Sequence, residues 1–278
     1  MRTTLGKLQI QAAGLSDRGL KRGHNEDSLS VVPDIGLFIV ADGMGGHNAG
    51  EVASRQAIES IVDFVRRAEG DDDVTWPFPR DEKLSDSENS LVAAIKLANR
   101  DVCNLSVQHQ EYSGMGTTLV AMFISPEDRE LAIAHVGDSR CYRYRDGKLE
   151  QLTLDHSWVS EQLQKGIITE EEAKNHRWKN VITRALGNKM DVDVDVQIQK
   201  IRSHDLYLLC SDGLSSMVED GQISDVIRQK PDLEDCIQGL IQSANSAGGL
   251  DNISVVMVRF VDEDEIEAAR EANASEAL

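Results

Sequence analysis

The sequence predicts an α+β fold in which antiparallel sheets are covered by helices. Two observations predict it. Strand patterns and helix patterns come in separate runs along the chain instead of alternating one by one, which a doubly wound parallel sheet would require. In the middle of the chain, Asp146-Gly147 interrupts two alternating segments as a hairpin turn does, a mark of antiparallel pairing. A length of 278 residues with 40% hydrophobic content supports one substantial core, and the reading is a single domain over residues 1–262 followed by an acidic tail, 263–278.

The elements follow in order. Leu8, Ile10 and Ala12 alternate as an opening strand that Gly14 ends, and further strands fall at 28–32 and 36–41. Val52, Ala53, Ala57, Ile58, Ile61, Val62 and Val65 recur at helical spacing, as do Leu91, Ile95, Ala98, Val102 and Leu105. Between these two helices lies an acidic insert, about 69–90, in which Trp76, Pro77, Phe78 and Pro79 read as a surface excursion. Residues 117–125, 130–137 and 141–153 then read as an antiparallel meander. Residues 157–186 are polar and helical, 191–201 alternates as an exposed strand, and 205–211 is a buried one. Helices recur after Leu214. The spacing of Leu233, Cys236, Ile237, Leu240, Ile241 and Ala244 predicts a last packed helix, and 252–261 closes as a core strand.

Composition excludes several function classes. A net charge of -19, from 48 acidic and 29 basic residues, repels nucleic acid and anionic membrane surfaces. No apolar run approaches a membrane span and the first residues lack a signal-peptide core, so a soluble, cytoplasmic protein is expected. Cys103, Cys141, Cys210 and Cys236 are far apart with no CxxC pair, which reads as reduced core thiols. None sits in a CxxxxxR phosphate loop.

Four aspartates stand beside glycine or in glycine-rich turns next to apolar runs: Asp42, Asp138, Asp212 and Asp251. Spread over more than two hundred residues, they are explained better by several strands converging on one charged pocket than by local acidity. Clustered carboxylates repel one another unless a cation is bound, so the pattern implies a hard divalent metal more than a general acid and base pair. Phosphate monoesters are a substrate class that needs such a site, because their hydrolysis requires both charge neutralisation and hydroxide at neutral pH.

Six separated motifs, SDRGLKRGHNEDS, VADGMGGHNAGEVAS, GMGTTL, AHVGDSRCYRYRDGKLEQLTLDHS, CSDGLSSMV and GGLDNISVVMV, occur in the order seen in the metal-dependent protein phosphatase 2C-like serine/threonine phosphatases. The chain resembles their bacterial branch over roughly residues 8–261. The resemblance implies a four-layer α-β-β-α sandwich and two Mn2+ or Mg2+ ions, with an optional third, weaker ion. It implies that Asp42 bridges both ions, that the Gly43 carbonyl ligates one, and that Asp212 and Asp251 ligate the other. Glu26 and Asp27 would contact the ions directly or through water, and Asp138 with Asp212 would bind the third. Gly43, Gly213 and Gly249 are expected to permit tight turns beside their aspartates.

By the same resemblance Arg22 grips phosphoryl oxygens, and its presence favours a general phosphoserine/phosphothreonine enzyme paired with a kinase. Where eukaryotic members read DGHGG this chain has Met44, and His47 is a candidate proton donor in the same loop. Residues 155–187 resemble a mobile flap beside the active site that influences substrate choice. Gly114, Gly116 and Thr117 resemble a loop packed near the metals. The expected enzyme is a monomeric protein serine/threonine phosphatase in which a metal-bridging hydroxide attacks phosphorus in line. A phosphoprotein-binding module with little turnover and a metal phosphodiesterase are the alternatives.

Overall fold

The structure, a computed structural model, describes residues 1–45, 49–70, 76–125 and 129–266. Strands β1 (Arg2–Leu5), β2 (Leu8–Asp17), β3 (Asp27–Val32) and β4 (Leu37–Met44) precede helices α1 (Ala49–Gly70) and α2 (Asp86–Gln108). Then come β5 (Gly116–Thr117), β6 (Leu119–Ser125), β7 (Glu130–Val136), β8 (Arg140–Arg145) and β9 (Lys148–Gln151). Short helices α3 (Trp158–Gln164) and α4 (Glu170–Lys174) lead to β10 (Asp195–Lys200) and β11 (Leu206–Cys210). Helices α5 (Asp212–Ser215), α6 (Asp220–Gln229) and α7 (Leu233–Ser246) precede the closing β12 (Ile253–Asp262).

One sheet runs β1-β2-β12-β11-β8-β9 and the other β10-β7-β6-β4-β3, with every pairing antiparallel. The period-two geometry of a strand explains the layering. Along β4, Leu37, Ile39 and Ala41 face the cluster formed with α1 and α2, whereas Phe38 and Val40 face the second sheet. Along β12, Val256, Val258 and Phe260 fill the space between the sheets, while Ile253, Val255 and Met257 meet α6 and α7. Three apolar layers thus separate four structural ones, the α-β-β-α sandwich that the motif resemblance implies. Helix α2 opens with a capping box in which Ser85 and Glu88 satisfy each other's backbone N–H groups. All four cysteines are free and buried. Among the described residues no helix is long and apolar enough to cross a membrane.

Several expectations are corrected. Gly14 does not end the opening strand. Pairing with β12 continues through Gly14↔Val256 to Asp17↔Ile253, and the missing side chain is what lets Leu29, Val31 and Val256 crowd the position. A further strand, β1, precedes it, short and half-exposed, with too little apolar pattern to be seen in sequence. The stretch 191–194 lies outside β10, and Val192 packs instead into the α1–α2 layer. Trp76 and Phe78 also pack there, Trp76 edge-on to Phe64, with Arg80 and Arg100 over the two rings, so this segment is anchored to the helices. The central strands form no single meander: β6–β7 belongs to one sheet and the β8–β9 hairpin to the other.

Strand direction positions the site. Because β4 and β7 are both antiparallel to β6, their C-terminal ends lie together, and the N-terminal end of β3 joins them through its pairing with β4. In the other sheet the C-terminal end of β11 meets the N-terminal end of β12. Hydrogen bonds from Glu26 N–H to Asn252 Oδ1 at 2.8 Å and from Ser211 Oγ to Asp27 Oδ2 at 2.8 Å join the two sheets at this one end.

Candidate metal centre

At that end the acidic side chains gather. Asp27 and Asp42 are direct cross-strand partners on β3 and β4, so both carboxylates leave the same face of the sheet, an unfavourable pairing for like charges. Asp212 follows β11 by two residues, Asp251 precedes β12 by two, and Asp138 follows β7 by two. Asp212 and Asp42, brought from the two sheets to this one end, are near enough for each carboxylate to act on the other.

The electrostatics follow from this crowding. Burial first, then Asp212 and Asp251, pushes Asp27 up to about 7 against hydrogen bonds from Ser254 and Ser211. Burial and then Asp212 push Asp138 up to about 7, and burial and Asp251 push Asp212 up to about 6. Asp42 is raised well above the carboxylate range by burial and by Asp27, Asp212, Asp138 and Asp251 together. Glu26 is raised by burial, with Arg22 opposing.

Two oxygens test whether a cation suits these groups. Asp27 Oδ1 and Asp212 Oδ1 are buried and have no hydrogen-bond partner. An orphaned buried carboxylate oxygen is strongly unfavourable, and a set composed of carboxylate and carbonyl oxygens is the donor chemistry of a hard divalent ion. The residues fit such an ion.

The backbone is shaped around the carboxylates. A Cβ on Gly43 would stand 2.1 Å from the Gly50 carbonyl of α1 and 2.5 Å from the Glu26 carbonyl. Glycine is needed here for close approach between β4, α1 and the Glu26 loop and not for a sharp turn, and a Cβ on Gly213 would likewise stand 1.9 Å from the Asn252 carbonyl. Gly249, at φ 53°, does make the expected turn. Since backbone walls Gly43 on both sides, Gly43→Ala is expected to destabilise the protein by about 3 kcal/mol or more, read as a lowered melting temperature. Thr117 Oγ1 and Thr118 N–H each donate to the Asp42 carbonyl at 2.9 Å, and β5 pairs with Gly43 and Met44, so the GMGTTL segment braces Asp42 from behind.

Arg22 reaches the rim, half exposed, and its Nη2 donates to Asp251 Oδ2 at 2.6 Å. Asn252 is a residue that motif reading passed over. Its Nδ2 donates to the Arg18 and His24 carbonyls at 2.9 and 3.0 Å while Oδ1 accepts from Glu26, which pins the whole Arg22–Asp27 loop. Its only sequence signal is its place directly after Asp251. His47 lies outside the described residues. The segment 155–187, expected to be a flap, begins where Asp155 accepts two-pronged bonds from Arg140 and returns through the bridges Ser157↔Ile182 and Thr117↔Leu186. Thr169 caps α4. Within this segment the Trp158 ring stacks on His176, and Trp178 meets both rings edge-on.

Away from the acidic end, two hollows of about 390 and 450 Å³ lie between β2 and α7, lined by Leu15, Ile237 and Ile241 beside Gln238, Gln242 and Asn245, with Glu234 their one carboxylate. Burial also pushes the Cys210 thiol up to about 12, which suits a core residue and not a nucleophile.

Comparison with known proteins agrees with the geometry. The family model described as Protein phosphatase 2C matches residues 20–254. The serine/threonine phosphatase stp of Listeria monocytogenes is 39% identical over 87% of this chain and 93% of its own length. The crystal structure of the Mycobacterium tuberculosis serine/threonine phosphatase PstP/Ppp superposes with a TM-score of 0.78 at 38% identity, covering 91% of this chain and 99% of that one. The catalytic domain of PstP in complex with two manganese ions gives 0.77 at 37% identity, covering 92% and 100%. With the fold, the order of its motifs and these matches in agreement, the chain belongs to the protein phosphatase 2C family of serine/threonine protein phosphatases.

Proposed function

We propose that the carboxylate cluster holds two divalent cations, Mn2+ or Mg2+, and that the protein uses them to hydrolyse phosphoserine and phosphothreonine in proteins. The observation that carries this reading is the pair of orphaned oxygens, Asp27 Oδ1 and Asp212 Oδ1, buried beside Asp42. Asp42 is assigned to both ions, the Gly43 carbonyl to one, and Asp212 and Asp251 to the other. Glu26 and Asp27 support them directly or through water, and Asp138 with Asp212 holds a weaker third ion. Bound there, the ions supply hydroxide from water at neutral pH and neutralise phosphoryl charge. The two manganese ions named for the PstP structure support the choice of metal.

The chain's own residues supply orientation and selectivity. Arg22, held at the rim by Asp251, presents a planar fork suited to two phosphoryl oxygens, and exchanging a carboxylate for a phosphoryl group preserves its charge pairing. The flap borders the substrate approach. The charge of -19 disfavours nucleic acid and hence the phosphodiesterase reading, while the complete carboxylate set favours turnover over a binding module. We assign the protein to the cytoplasm as a monomer that opposes a serine/threonine kinase.

Hydrolysis of a phosphothreonine peptide with Mn2+, and its loss in EDTA, tests the function; metal-independent turnover would overturn it. Arg22→Ala is expected to raise KM for that peptide about tenfold or more, in line with the strength of hydrogen bonds to a charged group. Mn2+ affinity should be unchanged or tighter, since Asp251 loses a competitor. An unchanged KM with weakened Mn2+ binding would refute the role given to Arg22.

A further inference from the structure

At the root of the flap one side chain joins parts that are far apart in sequence. The backbone N–H of His156 donates to the Gly137 carbonyl at 2.9 Å, and the Gly137 N–H donates back to His156 Nδ1 at 3.0 Å. Gly137 immediately precedes Asp138. Its φ of 109° and the 2.5 Å between a Cβ there and Thr118 Cβ exclude a larger residue, so the turn must be held from outside. The His156 carbonyl accepts from Thr183 N–H on the return arm of the flap at 2.8 Å. On the other edge of the ring, Nε2 lies 3.2 Å from Asp195 Oδ2. Arg184 Nη1 donates to Asp195 Oδ1 at 2.5 Å and to the Asp193 carbonyl at 3.1 Å.

These contacts order the proton. An amide N–H pointing at Nδ1 requires a lone pair there, so the neutral ring carries its proton on Nε2, facing Asp195. Burial, with His135 and Arg184 alongside, lowers the imidazole's pKa and keeps the ring neutral against the pull of Asp195. His135 stacks on it at 4.5 Å and 18°, and His135 Nε2 donates to the Leu154 carbonyl at 2.8 Å, which fixes the plane of both rings. Donor atoms of His135, His156 and Asp195 lie within 4.8 Å of one another, as in a metal site. Both Nε2 atoms carry hydrogen, however, stacked rings direct their in-plane lone pairs side by side, and the Arg184 cation approaches Nε2 to 3.2 Å. The group is a proton-ordered network.

We propose that His156 is a positioning residue for the carboxylate cluster: with its proton directed to Asp195, its Nδ1 holds the Gly137 amide, and so the turn that aims Asp138, while its backbone ties that turn to the flap. This rests on the assignment of Asp138 as a ligand of the weaker ion. Two near-isosteres separate the two ends of the ring. Asn at 156 places an acceptor near Nδ1 and gives up the Asp195 contact, whereas Gln reaches toward Asp195 and leaves the Gly137 amide unpaired.

The experiment is calorimetric titration of Mn2+ into wild type, His156→Gln, His156→Asn, Asp195→Asn and Asp138→Asn, with kcat and KM for a phosphothreonine peptide and a melting curve for each. His156→Gln is expected to weaken the weakest Mn2+ binding step about 10- to 100-fold, the range for groups that orient a ligand, with peptide KM at saturating Mn2+ within about twofold of wild type. His156→Asn should recover most of the loss. Asp195→Asn, at a half-exposed position, should shift the same step in the same direction and serves if the Gln variant does not fold. A weakened titration in Asp138→Asn beside wild-type behaviour in both His156→Gln and Asp195→Asn overturns the positioning role alone. Equal loss in the Gln and Asn variants also overturns it. An unchanged titration in Asp138→Asn overturns the ligand assignment and the proposal with it.

Discussion

Asp212→Asn and Asp42→Asn are each expected to lower turnover of a phosphothreonine peptide about a thousandfold at saturating Mn2+, the several kcal/mol that metal-borne charge stabilisation contributes to such a transition state. The amide keeps the shape of the side chain but removes the charge and, at one of its two positions, the lone pairs that a hard cation needs. Asp212 is the sharper test, because its Oδ1 is buried without a hydrogen-bond partner, so no hydrogen bond is lost at that atom when the side chain becomes an amide. Full activity in either variant, or the same Mn2+ requirement as wild type, would sink the two-ion reading. Calorimetry distinguishes a lost ion from a misplaced one.

In EDTA the protein is expected to lose stability as pH rises from about 4 to about 7, the reverse of ordinary acid denaturation. The carboxyls of Asp27 and Asp138 titrate near 7 and that of Asp212 near 6 in the folded chain, against an ordinary value of 3.8. At the acid end both folded and unfolded states are protonated and these groups cost nothing. Between the two pKa values the native state still holds protons that the unfolded chain has released. Stability then falls with increasing pH and is fully lost from these groups above the folded pKa. Each buried carboxylate contributes on the order of a few kcal/mol to the fall. A divalent cation should remove it by pairing with the ionised forms. Melting temperatures at pH 5 and pH 8, with EDTA and with Mn2+, read this directly. A metal-free protein that melts higher at pH 8 than at pH 5 would contradict the crowding described here, and Asp138→Asn should flatten part of the dependence.

The acidic positions were legible in the sequence because each is local: an Asp beside glycine, or close to one, at the end of an apolar run is visible without knowing what packs where. The order of strands and helices was legible for the same reason, since both faces of β4 and β12 are buried and their runs are continuous. Errors arose where a partner overrode the local signal. Gly14 reads as a stop, yet β12 pairs straight past it. Val192 and Val194 alternate like strand residues, yet they pack on the α1–α2 layer before β10 begins. Gly43 reads as a turn, yet it is a contact surface between backbones.

What the sequence by itself determined is the inventory and order of parts, together with the chemistry that those parts share, because residue type and period are properties of single segments. Only the tertiary structure decided which carboxylates meet. Asp27 faces Asp42 through the β3–β4 register, and Asp212 and Asp251 arrive from the other sheet through the Ser211 and Asn252 hydrogen bonds. It also placed Arg22 on Asp251 and His156 on Gly137, contacts spanning 229 and 19 residues of chain. Such pairings depend on strand direction and on the burial of whole layers, which no one segment encodes.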